Sequence, residues 1–474
     1  MILKSAVFKR KENKLLMTFK PTQFHYSMFN NNGELLVLNT FNGTLYKVHS
    51  QNAHLINGIL KRSSICENEI PLPSLISEKL LVPSTADEYA YYRSFCSNIV
   101  NQAALALTIL PTHQCNCRCV YCYENFNSGI MSRLVQDNLI EFVKKQISRC
   151  ASLSISWFGG EPLLAMDVIK NLSNQFIDLC KILKKQYGAS ITTNSTLLTL
   201  EVFRELQKCR VYTYQITIDG TKEIHDAQRP LTTGNSSYEL IISNLIRIKQ
   251  TIRIDSFRIF LRINLTKSSL NNIDDYIKTI KELFGNDPRF IIHFNVAGNW
   301  GGNRIGGFLD ELLTQSDNVS DKIKNSLGGM KGDFLTHNVD NSYRGSFCFS
   351  AGCNVGYCNH FTIDTNGKVF KCAQTIRDDI PKIGDLGINP FEWDEYENSK
   401  WVNLANNESV DEKCIKCCLL PTGCYRYNNC IVSQYKNRYK DMKQSITECQ
   451  GPKAKIENYI QELDNNNQFI LLED

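Results

Sequence analysis

No 18 apolar residues run together anywhere in this 474-residue chain, and the opening MILKSAVFKRKENKLLMTF has no continuous apolar stretch of signal-peptide length. No membrane association is therefore expected, and the expected compartment is cytoplasmic. Long runs of one charge are also missing. The formal charge of +5 is a small difference between 53 basic and 48 acidic side chains, so no nucleic-acid partner is expected. Internal repeats are absent as well. Apolar residues at 42% and charged residues at 21% are ordinary for a folded chain, which argues against disorder. The length exceeds what one ordinary core accommodates and implies several domains. What the chain has in excess is cysteine, nineteen residues. Where thiols are kept reduced, clustered cysteines bind metal more often than they pair.

Three regions follow from the patterning. Residues 24 to 49 alternate apolar and polar positions around Asn-Gly turns, the signature of an antiparallel hairpin sheet. A short helix near Ala53 to Leu60 and the stretch LISEKLLVP complete an αβ unit over residues 1–100. From Leu105 the rhythm becomes strand then helix, through LALTILP, LSISWF, SITTN, YTYQITID, FRIFLRIN and FIIHFN. Six βα units predict an α/β fold, a partial (β/α)6 TIM-like barrel over residues 101–335 with reactive groups at the C-terminal strand ends. Residues 346–474 are rich in Cys, Gly and Asn and read as a metal-held region, in which FTIDTNGKVFKC is a hairpin with an Asn-Gly turn.

The first barrel strand runs into THQCNCRCVYCYEN, where Cys115, Cys119 and Cys122 have the spacing C-x3-C-x2-C. Three thiolates hold three irons of a [4Fe-4S] cube and leave the fourth open to an outside ligand, as a catalytic cluster requires. A zinc knuckle is the alternative, with a fourth ligand from His113 or Cys117; Cys117 otherwise reads as a spare thiol. This motif resembles the radical S-adenosylmethionine (SAM) superfamily, and further matches follow in order over residues 105 to about 300. Gly159, Gly160, Glu161 and Pro162 in WFGGEPLL resemble the family's GGEP loop, which implies a place for the methionine amino group of SAM. TTNSTLL resembles TNGTLL, with Asn194 kept and Ser195 where Gly is usual, a change that strains a positive-φ turn. ITIDGTKEIHDAQRP resembles SLDG…HDxxR. The match puts Thr217 at the ribose, Arg229 at the methionine carboxylate and Asp219 beside them, while Tyr121 falls beside the adenine. An Arg fork suits a carboxylate better than Lys would, although Asp219 and Arg229 in isolation read as a surface ion pair closing a loop.

Beyond the barrel, Cys353, Cys358, Gly367 and Cys372 precede Cys414, Cys417, Cys418, Cys424, Cys430 and Cys449. The pattern resembles the SPASM domain, which carries two auxiliary [4Fe-4S] clusters. That resemblance implies Cys353, Cys358, Cys372 and Cys430 for one cluster and Cys414, Cys417, Cys424 and Cys449 for the other. The loop after Cys414 is longer than the family's, so either Cys417 or Cys418 fills its position, and a zinc ribbon is the alternative for the whole region. The implied cofactors are SAM and three [4Fe-4S] clusters, with a reductant such as flavodoxin or ferredoxin.

Enzymes of this kind include anaerobic sulfatase maturases and maturases that install thioether or other cross-links in ribosomally made peptides. The sulfatase maturases carry an Asp directly after the cysteine that ends G-x4-C. Here that position is Ala373, and the unit 1–100 is extra. Both departures favour a peptide maturase. The N-terminal unit is similar to winged-helix leader-recognition domains, so the expected partner is a precursor peptide whose leader adds a strand to a hairpin edge. An iron–sulfur electron carrier, the non-enzymatic reading, has no use for GGEP or Arg229.

Overall fold

The computed structural model describes residues 17–100, 104–124, 126, 129–298, 305–313, 319, 322, 323, 326, 355, 357–377, 380–405, 416–419 and 451–472. The expected auxiliary ligands Cys353, Cys414, Cys424, Cys430 and Cys449 lie outside these residues. No helix among the described residues is long and apolar enough to cross a membrane.

The N-terminal unit holds β1 (Thr18–Pro21), β2 (His25–Phe29), β3 (Leu35–Asn39), β4 (Thr44–Val48), α1 (Ser50–Ile59), β5 (Ile65–Cys66), α2 (Ser74–Ser77), β6 (Leu81–Pro83) and α3 (Glu88–Val100). β2, β3 and β4 form the expected antiparallel meander, while β1 stands between β5 and β6 in a separate sheet. Strand β3 reads LLVLN and is buried at every position. Its Leu35 and Val37 pack with Ala53, Ile56 and Ile59 of α1, and its Leu36 and Leu38 meet Ile456, Tyr459 and Ile460 far along the chain. Continuous apolarity in a strand is the mark of two covered faces.

The barrel follows with β7 (Ala104–Ile109), α4 (Arg133–Gln146), β8 (Ser152–Trp157), α5 (Met166–Ile182), β9 (Gln186–Thr193), α6 (Leu200–Lys208), β10 (Val211–Thr217), α7 (Lys222–Gln228), α8 (Ser237–Thr251), β11 (Arg258–Leu265), α9 (Lys267–Asn271), α10 (Ile273–Phe284) and β12 (Phe290–Val296). Strands β7 to β12 pair in parallel, each with the next, as the six βα units predict. Ser132, Thr199 and Ser236 cap α4, α6 and α8 by accepting from backbone amides, so these starts are written into the sequence.

Two features of the C-terminal region were not anticipated. The hairpin of β13 (His360–Ile363) and β14 (Lys368–Phe370) pairs through β13 in parallel with β7. With β15 (Gly384–Asp385) and β16 (Glu392–Trp393) it extends the barrel sheet to ten strands, ahead of α11 (Glu395–Ala405). The last elements, α12 (Gly451–Asn465) and β17 (Ile470–Leu471), return to the N-terminal unit, where β17 pairs with β4 and Leu472 enters the same core as Leu35. The unit expected over residues 1–100 thus takes in residues 451–472 as well.

Candidate active site

Most candidate residues stand where a barrel strand ends, while Arg229 follows α7. The cysteine loop follows β7, Gly159 to Pro162 follow β8, Asn194 and Ser195 follow β9, and Asp219 follows β10. Cys115, Cys117, Cys119 and Cys122 pack together with Tyr121 and Leu231 in one cluster. Backbone bonds from Arg118 to Pro230 and from Val120 to Gln228 stitch the loop to the chain around Arg229.

The two glycines serve packing. Gly159 takes φ +111, and a β-carbon there would stand 2.5 Å from the Thr112 carbonyl oxygen. On Gly160 it would stand 2.2 Å from the Gln114 carbonyl, so only glycine admits this contact with the cysteine loop. The Gly160 amide donates to Thr112 and that of Glu161 to Gln114. Glu161, expected at the amino group of SAM, is fully buried. Its carboxylate accepts from the amides of Leu163 at 3.0 Å and Asn194 at 2.7 Å and from Thr193 Oγ1 at 2.7 Å. Such a carboxylate clamps the turn after β8 to the turn after β9. Burial outweighs these donors and pushes it up to about 7.

Asn194 Nδ2 reaches Asn116 Oδ1 at 2.8 Å and Cys115 Sγ at 3.8 Å, which ties this turn to the first cysteine. Ser195 has φ 62, the left-handed conformation that the missing glycine would have eased. Its amide donates to Thr193 Oγ1, its carbonyl accepts from Asn244, and its hydroxyl is buried without a partner.

Asp219 and Arg229 do not form the surface pair that sequence alone left open. Asp219 is wholly buried, and Arg229 lies 3.7 Å from it with a side chain 10% exposed. Tyr121 joins them: its hydroxyl donates to Asp219 Oδ2 and accepts from Arg229 Nη1 at 2.7 Å and Asn264 Nδ2 at 3.1 Å. Tyr121 also packs on Phe308 at 5.6 Å. Burial raises the Asp219 carboxyl while the Arg229 charge opposes the shift, and burial pushes the Cys119 thiol up to about 12. The Cys115 thiol is lowered, by the hydrogen bond with Cys117 and then by the nearby amide and the Arg229 charge. The Cys117 backbone amide donates to Cys115 Sγ at 3.4 Å, and its side chain is buried beside the other three cysteines. Thr217 closes β10, nearly buried. Asn264, Thr193 and Asn116 belong to the site as well: Thr193 and Asn116 lie within the TTNSTLL and cysteine-loop motifs without having been singled out, and Asn264 near the end of β11 lies in no motif.

The arrangement suits an iron–sulfur cluster with SAM. Arg229 Nε is buried with no hydrogen-bond partner, an open donor beside the cysteines that fits a carboxylate. His113, one possible zinc ligand, has Nδ1 3.3 Å from Glu124. Among the described residues no three His, Cys, Asp or Glu side chains stand close enough to hold a single metal ion, a tighter requirement than a cube makes. Of the auxiliary candidates, Cys358 and Cys372 flank the β13–β14 hairpin, while Cys417 and Cys418 pack beside Leu419 against the N-terminal sheet.

Comparison with known proteins agrees with this geometry. The model of the Radical SAM superfamily matches residues 109–281. The chain is 29% identical over 351 residues to the cysteine-type anaerobic sulfatase-maturating enzyme of Clostridium novyi, covering 68% of this chain and 88% of that one. It is 22% identical to the radical SAM cyclopropyl synthase TigE of Paramaledivibacter caminithermalis over 41% of this chain and 49% of the relative. The solved structure of anSMEcpe with bound AdoMet superimposes with a TM-score of 0.56 at 20% identity, over 77% of this chain and 99% of that one. Residues 109–281 thus carry a radical SAM domain.

Proposed function

We propose that this enzyme is a radical SAM peptide maturase. Cys115, Cys119 and Cys122 would hold the catalytic [4Fe-4S] cluster, and Asn194 Nδ2 steadies the first of these sulfurs. The observation that carries the reading is the Arg229 guanidinium, fixed by Tyr121 and Asp219 next to the cysteines with a buried donor unused. It would take the methionine carboxylate of SAM. The turn at Gly159 and Gly160 would take the amino group, with Glu161 bracing it from behind, Thr217 would meet the ribose and Tyr121 the adenine. When bound, cluster and SAM supply one-electron cleavage to methionine and a 5′-deoxyadenosyl radical, which removes a hydrogen atom from substrate. The protein's own part is to bind, orient and keep water out.

The finer assignments rest on sequence pattern and on what the relatives are. A relative named a cysteine-type anaerobic sulfatase-maturating enzyme supports a protein or peptide substrate. Ala373 and the N-terminal unit favour a precursor peptide with a leader, cross-linked by a thioether or another bond. The cysteines from Cys353 to Cys449 would carry two auxiliary clusters in a SPASM domain, fed by a flavodoxin or ferredoxin. The test is anaerobic reconstitution with iron, sulfide and a strong reductant. Wild type should cleave SAM to 5′-deoxyadenosine and Cys119→Ala should not; equal yields from both would overturn the assignment.

A further inference from the structure

Resting on that reading, we propose that Arg262 and His293, neighbours on the inner wall of the barrel, form a subsite for a carboxylate of the substrate peptide. The carboxylate is either an Asp or Glu side chain near the modified residue or a chain end.

The placement follows from strand alternation. On β11 the flanking Leu261 and Ile263 are buried in the core against the helices, so Arg262 projects to the opposite face, into the lumen. On β12 the same holds for His293 between Ile292 and Phe294. Arg262 is the register partner of His293 on one side and of Thr217 on the other. These three side chains form one row across the inner wall, and Thr217 is the residue assigned to the ribose. The subsite therefore lies in the layer of the wall where substrate must meet the radical.

Among the described residues Arg262 has no counter-ion of its own. Its Nε donates to Asn264 Oδ1 at 2.9 Å, and its terminal nitrogens bond to no described residue. Asp219 influences it but is already engaged, by Tyr121, by the Asn264 amide at 2.8 Å and by Arg229 at 3.7 Å. Two guanidinium groups thus share one carboxylate in a partly dry site. A desolvated cation is costly unless an anion completes it. The SAM carboxylate answers Arg229, which leaves Arg262 for a second anion, and its planar fork suits a carboxylate. Burial and the Arg262 charge both hold His293 below the usual imidazole range. A neutral imidazole brings an N–H donor beside the guanidinium without a further positive charge.

The experiment uses the full-length, anaerobically reconstituted enzyme with SAM and three probes read by saturation-transfer NMR. N-acetyl-aspartate N-methylamide presents a side-chain carboxylate, N-acetyl-alanine a chain-end carboxylate, and N-acetyl-asparagine N-methylamide neither. One carboxylate probe should exceed the asparagine probe by about tenfold, the scale of one charged hydrogen bond, and the winner identifies the source. Arg262→Gln should abolish the preference while the Kd for SAM stays within about twofold; Arg262→Lys, with its charge but no fork, should keep part of it. Should the Gln variant fail to load iron, His293→Ala and Arg262→Lys are the readings. No preference in wild type, or an unchanged one in the variants, overturns the subsite. A SAM Kd weakened tenfold in Arg262→Gln would assign the residue to SAM instead. If wild type fails to cleave SAM, the radical SAM reading itself fails; cleavage without carboxylate preference removes only this subsite.

Discussion

Gly160 lies directly against Gln114, so that a β-carbon on the glycine would come within 2.2 Å of the glutamine carbonyl oxygen. The obstacle is backbone, which cannot swing aside as a side chain does. Gly160→Ala should therefore push the turn after β8 off the cysteine loop, costing about 1–3 kcal/mol in stability. Iron bound at the first site should fall with it. Iron analysis together with denaturant unfolding checks this, and wild-type values for both would show that the contact is not needed.

Ser195 invites the opposite change. It holds φ 62 and a buried hydroxyl with no partner, while its useful bonds, to Thr193 and from Asn244, are made by the backbone. Ser195→Gly should keep those bonds and relieve the strain, for a net gain of about 1 kcal/mol after the larger chain entropy of glycine. Urea titration measures it. A loss of stability would mean that the hydroxyl has a role the fold conceals.

Arg229→Ala should weaken SAM by about tenfold or more, the scale of one charged hydrogen bond in a partly dry site. Iron content should hold, since the guanidinium is not a cluster ligand. Iron loss in this variant would instead make the Arg229–Asp219 pair part of the scaffold.

Glu161 predicts a pH dependence. Its carboxyl sits near 7 in the folded chain, above its unfolded value of about 4.3. The folded state therefore prefers the proton, and the stabilisation is complete below about pH 4.3 and lost as pH rises through about 7. At about 1.4 kcal/mol per pH unit, the cluster-free protein should lose about 4 kcal/mol across that interval. In Glu161→Gln this part of the slope should vanish. Unfolding curves at half-unit pH steps compare the two, and parallel profiles would mean that Glu161 is ionised throughout.

For the auxiliary region the expected outcome is close to twelve irons per chain, from three cubes of four, falling by about four when Cys115, Cys119 and Cys122 are all replaced by Ala. Zinc in anaerobically purified protein would point to the ribbon alternative.

The barrel was legible because each strand is an apolar run and each helix start carries a cap such as Ser132 or Thr199, local signals that need no tertiary knowledge. Spacing singled out the cysteines and Arg229, which the fold brings together. Spacing marks the turn that holds Glu161, but it does not reveal that Thr193 and Asn194 come from the next strand to donate to its oxygens. Arg262 was passed over within FRIFLRIN, although a cation between Leu261 and Ile263 was itself a signal for an inward-facing charge. The return of β17 to β4 could not be read at all, since two residues carry no periodicity.

That return bears on synthesis. Asn30 beside β2 bonds to Asp464, 434 residues later, and Lys47 of β4 pairs with the same carboxylate at 2.5 Å. The edge of β4 and the outer face of β3 therefore emerge from the ribosome long before the residues that cover them. At roughly 5–20 residues per second the wait is on the order of tens of seconds. Through that interval the N-terminal unit carries Leu36, Leu38 and Leu45 uncovered, a nascent surface for chaperones to hold.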